Sequence, residues 1–305
     1  MEALTAPSVI GPVHALLEAE APGILALITG TEGPSYRPIG AMMAVMDGQR
    51  RAGSLSSGCV EADITLHAEE ARANGRPAQV RYGQGSPFKD IELPCGGGLD
   101  VLLVPEPDRA VLRDVAEAWA ARRPVTLLVD AETGAMALGE GETGWQGGRF
   151  AVHIAPEIAF YIFGKGPETS SFAALVRSAG YPAMVLTSDD ETLAMAEAAG
   201  AATRHLTGPK MPDDIRPDDR SAIVLFFHDH DWEPPILKAA LETPAFYIGA
   251  QGSQRARGLR DMELQALGAS AGDLERLKGP IGLVRSARDA RTLAVSVLAE
   301  VLAEA

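Results

Sequence analysis

Only two cysteines occur in this 305-residue chain, and both sit beside glycine. Cys59 lies in "RAGSLSSGCVEADI" (51–64) and Cys95 in "IELPCGGGLDVLLV" (91–104). A disulfide, a metal site or a reactive thiol pair would each use such residues. The start, "MEALTAPSVIGPVHALLEAEAPG", has no basic leader region and no long apolar run, so a cytoplasmic location is expected. Thiols stay reduced there, which demotes the disulfide. Two cysteines without histidine help fall short of a structural zinc set. Cys59 follows Gly58 at an expected helix N-terminus, a place that lowers a thiol's pKa. Cys95 heads Gly96, Gly97 and Gly98, which leave its sulfur uncrowded. Thiolates suit thiophilic metals and sulfur transfer, whereas a cysteine serving as a small core hydrophobe would have apolar neighbours.

Four further stretches could do chemistry. "TEGPSYRPIGAMMAV" (31–45) sets Thr31, Ser35 and Arg37 on a Pro/Gly loop, an anion-facing arrangement. Gly164-Lys165-Gly166-Pro167-Glu168-Thr169 stands between a strand and a helix, as a dinucleotide glycine turn would. Thr169 replaces the third glycine, and Asp189 and Asp190 come late for a ribose contact, so NAD(P) or FAD is disfavoured as a ligand. In "YIGAQGSQRARGLR" (247–260), Gly249, Gly252 and Ser253 end a strand and cap a helix. Arg255, Arg257 and Arg260 follow, which together make a phosphate-type anion site. In "FFHDHDWE" (226–233), His228 and His230 could ligate a metal, or else line a crevice at the end of a parallel strand.

The elements that position these residues fall into two halves. Residues 1–155 read as a mixed α/β domain holding both cysteines. A helix over 8–20, a buried strand at 23–30, strands around the "DGQ" turn, a helix from Cys59 to Gly75, strands "AQVRYG" and "LDVLLVPEP", a helix over 107–122 and a hairpin at 124–139 are expected. Residues 156–305 alternate strands with helices and imply a Rossmann-like, doubly wound parallel sheet. Stretches near 140–150 and 207–220 read as linkers, and Ser286 and Asp289 as an N-cap pair. The hydrophobic content of 46% supports folded domains, and the net charge of −14 excludes a general nucleic-acid binder. No run reaches the ~18 apolar residues of a membrane span.

Taken in order, these stretches resemble the xanthine dehydrogenase accessory family, also called XdhC/CoxI. "TEGPSYRPIGAMMAV" looks like its T-x-G-S-x-x-R-x-x-G-A-x-M-x-V loop, "GSLSSGCVEADI" its G-x-[ILV]-S-G-G-C-V-E and "LPCGGGLDVLL" its C-G-G segment. The glycine turn, "FHDHDWEPPILKAAL", "YIGAQGSQRARGLR" and "GPIGLVRSARDARTLAVSVLAEVLAE" continue the series. Departures are Ser57 for a glycine, Pro167, Glu168 and Thr169 in the turn, and Phe227, Trp232 and Glu233 around the histidines.

The resemblance implies a non-catalytic maturation factor that binds the molybdenum cofactor (molybdopterin), protects it during sulfuration and delivers it. The partners implied are an apo molybdenum hydroxylase of the xanthine dehydrogenase type, a cysteine desulfurase and a second copy of the chain, with no nucleic acid and no membrane. Cys59 and Cys95 would then contact the molybdenum end, and Glu61 and Arg37 frame it. Gly96 and Gly97 would admit the pterin, and Gly164, Gly166, Gly252, Ser253 and Arg255 would hold the remainder. The other readings left open are an NAD(P)-binding oxidoreductase built on the second half, a redox pair of Cys59 and Cys95, and a metalloprotein using His228 and His230.

Overall fold

A computed structural model describes residues 8–47, 50–56, 58, 60–86, 96–227 and 231–305. Contacts divide these residues into two units, 8–156 and 157–305. Among the described residues no helix is long and apolar enough to cross a membrane.

The first unit opens with α1 (Gly11–Glu18), β1 (Ile24–Glu32), β2 (Met42–Val45) and β3 (Arg51–Gly53). Then come α2 (Glu61–Asn74), β4 (Ala78–Gly83), β5 (Gly98–Pro105) and α3 (Arg109–Ala120). The first five strands form an antiparallel sheet in the order β3-β2-β1-β5-β4. Both faces of β1 are covered, which is why "ILALI" reads as an unbroken apolar run. On one face Ile24, Ala26 and Ile28 meet Val60, Ile64 and Ala68 at and along α2. On the other, Leu25 and Leu27 meet a cluster with Val13 of α1, Leu112 and Val115 of α3.

That second cluster is closed by Leu127, Phe150 and Val152 from a four-stranded antiparallel sheet. Its strands are β6 (Val125–Asp130), β7 (Met136–Gly139), β8 (Gly144–Gln146) and β9 (Arg149–Ile154), in the order β7-β6-β9-β8. The stretch expected as a linker at 140–150 therefore holds a strand pair. Trp145 pairs with Phe150 around the tight Gly147–Gly148 connection.

The second unit contains β10 (Ala159–Gly164), α4 (Pro167–Ser178), β11 (Ala183–Thr187), α5 (Asp190–Ala198), β12 (Ala202–His205) and β13 (Ser221–Phe226). It continues through α6 (Glu233–Leu241), β14 (Tyr247–Ala250), α7 (Gln254–Ala266), α8 (Ala271–Arg276), β15 (Leu277–Lys278) and α9 (Ala290–Ala303). The parallel sheet runs β12-β11-β10-β13-β14-β15, the doubly wound order with its reversal between β10 and β13. Helices on both faces explain the near-continuous apolar strands such as "SAIVLF", buried at every position. Asp289 caps α9 alone, its carboxylate accepting from Thr292 N at 2.9 Å. Ser286 lies outside the cap with φ 59°, so the expected N-cap pair reduces to one residue.

Candidate functional site

Register places the described flanks of both cysteine segments at one end of the five-stranded sheet. Gly98 pairs with Glu32 on one side and Gly83 on the other, so β5 begins where β1 and β4 end. The chain leaves β3 at Gly53, level with Met43 and so with Ala26, and heads toward that same end. There it forms the turn that precedes α2. Cys59 and Cys95 themselves lie outside the described residues, as do His228 and His230.

Glu61 holds the turn together. Its Oε1 accepts from Ser54 Oγ at 2.6 Å, Leu55 N at 3.1 Å and Ser56 N at 2.8 Å. Its Oε2 accepts from Ser56 Oγ at 2.5 Å, Gly58 N at 2.9 Å and Val60 N at 3.3 Å. A carboxylate has about four lone-pair sites, so these donors saturate it. Burial alone would raise the Glu61 pKa, but the Ser54 and Ser56 hydrogen bonds outweigh it and hold the group down to about 2. Two consequences follow. Glu61 works on the turn rather than presenting a free oxygen to a ligand. The N–H groups of Leu55, Ser56, Gly58 and Val60 in that turn are already spent on this carboxylate.

Gly97 shows why "CGGG" needs glycine. A Cβ there would lie 2.5 Å from Pro34 O and 2.7 Å from Glu32 O, so the segment lies flat against the start of the 33–41 loop. Arg81 braces the same end, donating to both oxygens of Asp100 at 3.0 and 2.9 Å, to Gln84 O at 2.8 Å and to Glu32. On the sheet face toward α1, a cavity of about 300 Å³ is lined by Arg37, Ile39, Met42, Ser54, Val152 and His153. Ser35 Oγ donates to Arg37 O at 2.8 Å and fixes the loop, while the half-buried Arg37 guanidinium has no partner among the described residues. Sequence reading reached Arg37 but missed Val152 and His153, which belong to the overlooked β8–β9 pair. The Gly147–Gly148 dipeptide before "RFAVHI" was the signal.

In the parallel-sheet unit, Gly164 is required by close packing. A Cβ there would lie 2.4 Å from Thr169 Oγ1 and 2.8 Å from Phe226 Cβ. Thr169, at the third-glycine position, is fully buried. Gly166 N donates to Thr192 Oγ1 at 2.8 Å, and Pro167 adds no N–H to the first turn of α4. Asp189 caps α5, its Oδ2 accepting from Thr192 N at 2.8 Å and Thr192 Oγ1 at 2.6 Å.

At α7, Ser253 is the N-cap and its Oγ accepts from Ala256 N at 3.1 Å, leaving its own O–H to donate. Arg255 is exposed, next to first-turn N–H groups that have no intrahelical acceptor. The other two arginines do not join it. Arg257 donates to Gly279 O at 2.7 Å. Arg260 is 2% exposed, donates to Gln251 O at 2.6 Å and pairs with buried Glu233 at 2.8 Å. The expected triple-arginine anion site is therefore Arg255, with no partner among the described residues, beside two structural arginines. Among the described residues no cluster of three or more His, Cys, Asp or Glu could hold a metal ion.

Comparison with known proteins follows the same division. Residues 16–83 match the model of the XdhC and CoxI family, and residues 160–301 that of the XdhC Rossmann domain. The molybdenum cofactor insertion chaperone PaoD of Escherichia coli (strain K12) is 34% identical over 291 residues, covering 95% of this chain and 85% of PaoD. The chain belongs to the XdhC/CoxI family. A Bacillus subtilis (strain 168) protein described as a probable xanthine dehydrogenase subunit is 22% identical, with 95% of each chain covered. A crystal structure of a xanthine dehydrogenase from Bacillus halodurans superposes with a TM-score of 0.80 at 22% identity, covering 97% of this chain and 95% of that one. It shares the fold of this XdhC/CoxI chain. The first family match takes in the Arg37 loop and the Glu61 turn, and the second takes in the glycine turn and α7. Gly96–Gly98 and the β8–β9 pair lie between the two matched segments.

Proposed function

We propose that this protein is a non-catalytic maturation factor. It binds the molybdenum cofactor, protects it while a cysteine desulfurase supplies the sulfido ligand, and delivers it to an apo hydroxylase of the xanthine dehydrogenase type, acting in the cytoplasm as a homodimer. Residues 1–155 form the domain that receives the molybdenum end, and 156–305 a Rossmann-like domain that contributes an anion contact. One observation carries the reading. Glu61 locks Ser56 and Gly58, the described neighbours of Cys59 in sequence, at the sheet end where β5 begins and Gly97 packs on the 33–41 loop. The 34% identity to a molybdenum cofactor insertion chaperone supports it.

The chain's residues fit such a cofactor. When bound, the cofactor would supply thiophilic molybdenum and a phosphate. Cys59 and Cys95 would be its soft ligands, with His228 and His230 as additional candidates in the second unit. The Arg37 guanidinium has no partner among the described residues, and Gly252, Ser253 and Arg255 offer N–H, O–H and positive charge to the phosphate. Glu61 is a positioning residue. The dinucleotide-dependent oxidoreductase is less well supported, because Thr169 fills the third-glycine position and Thr192 takes the Gly166 N–H.

The test is the molybdenum and pterin content of the full-length protein after anaerobic loading, with Cys59→Ala and Cys95→Ala alongside. Retention by wild type and its loss in either variant, with circular dichroism unchanged, is the expected result. Absence of retention by wild type overturns the reading.

A further inference from the structure

The last helix is apolar on more sides than the rest of the chain covers. Between Arg291 and Glu300, α9 reads "TLAVSVLA" and carries no charge. One side packs inward, where Leu293, Val297 and Val301 join Phe172 and Val176 of α4 in a single core cluster. The side facing water should then be polar, as on an ordinary surface helix. It instead holds Thr292, Val295, Ala299 and Leu302, all exposed and spaced three, four and three residues apart. Val295 is 59% exposed. That spacing is the seam of a helix pair, and a helix apolar all round is one that ends up buried.

Two loop residues widen the stripe. Leu283 and Val284 are each more than half exposed. Val284 N donates to Ser296 Oγ at 2.7 Å, which holds them against the helix at the residue after Val295. Charge is confined to the two ends of α9. Exposed Arg285, Arg288 and Arg291 outnumber the capping Asp289 at its start, and Glu304, paired with Lys278 at 3.0 Å, closes its end. Such a face is complementary to itself turned over. In an antiparallel pair, Val295 meets Ala299 of the second copy and Thr292 meets its Leu302, so each larger side chain faces a smaller one. The basic start of each helix then lies over the carbonyl end of the other, where positive charge is favoured.

We infer that the homodimer of the proposed function closes through α9, two copies packing antiparallel along Thr292, Val295, Ala299 and Leu302 with Leu283 and Val284 covering one side. That two copies associate rests on that reading; the face they use follows from the helix. The contact is isologous, so the same patch serves both copies and the pair closes with no second patch left open.

The experiment is sedimentation equilibrium of the full-length protein, wild type beside Val295→Glu and Ala299→Lys. Both side chains are exposed, so each variant should fold, and matched thermal melts establish that they do. Alone, each variant puts an unpaired charge into the seam twice per dimer, and its dimer dissociation constant should rise about a hundredfold or more over wild type. Mixed in equal amounts, the variants set the introduced carboxylate against the introduced ammonium, and a heterodimer should return. Dimers undiminished in either variant, or variants that stay monomeric on mixing, overturn the inference while the wild-type dimer stands. A wild type that is monomeric throughout overturns the homodimer reading as well and leaves the face for a different protein. Cofactor retention, measured separately, tests the maturation role whichever way the dimer falls.

Discussion

A glutamate buried at the first turn of a helix is costly unless every oxygen is satisfied, and Glu61 is 5% exposed. The sequence "SLSSGCVE" satisfies it by curling back, so the same residues that surround Cys59 are the ones that hold the carboxylate. Glu61→Gln keeps the shape but removes the charge and sets an amide NH2 against N–H donors. It should destabilise the first unit by about 2–4 kcal/mol, as loss of a buried charged acceptor does. Urea denaturation measures it. The pH sign follows from the lowered pKa. The folded carboxyl titrates at about 2 against an ordinary 4.5, so its stabilisation is complete above about pH 4.5 and is lost as pH falls toward 2. In Glu61→Gln that part of the acid limb should disappear. A variant whose stability falls over pH 4.5 to 2 as steeply as wild type would mean that other carboxylates govern acid sensitivity.

At the scale of elements, α7 carries a comparable lesson about arginine. Arg260 and Leu264 are four residues apart and share the buried face, while Arg255 lies on the exposed side of the helix. Arg260→Ala breaks the buried Arg260–Glu233 ion pair and should cost about 3–5 kcal/mol. Arg255→Ala should stay within about 0.5 kcal/mol of wild type in stability. Equal effects from the two would refute the division into structural and available arginines. The helix was legible from Gly252 and the Ser253 cap, but the burial of Arg260 was not, because its partner Glu233 is far away in sequence on α6. Long apolar strands such as β1, β5 and β13 were legible because double-sided burial writes itself as a run of Leu, Ile and Val. The β8–β9 pair was hidden by Gly141, Gly144, Gly147 and Gly148, which read as a loop, and His153 went with it. Likewise, sequence displays the charge of Glu61 and not the donors of the turn that surround it.

For the whole molecule, the acidic balance of −14 is spread over two units that each carry their own apolar clusters. The proposed division at residue 155 has a mechanical consequence. Glu61 and Arg260 belong to different clusters of contacts, so weakening one should leave local opening of the other untouched. Hydrogen exchange read by mass spectrometry in mild urea can separate them. Glu61→Gln should accelerate exchange in peptides from β1, α2 and β5, with those from β10, β13 and β14 unchanged. Arg260→Ala should do the reverse. If either variant speeds exchange uniformly from β1 to α9, the chain opens as one cooperative body, and the separate roles proposed for its two halves would lose their physical basis. If the responses stay apart, a ligand bound by one unit can protect that unit alone. Loading with cofactor should then slow exchange first in the peptides holding the Glu61 turn and Gly96–Gly98.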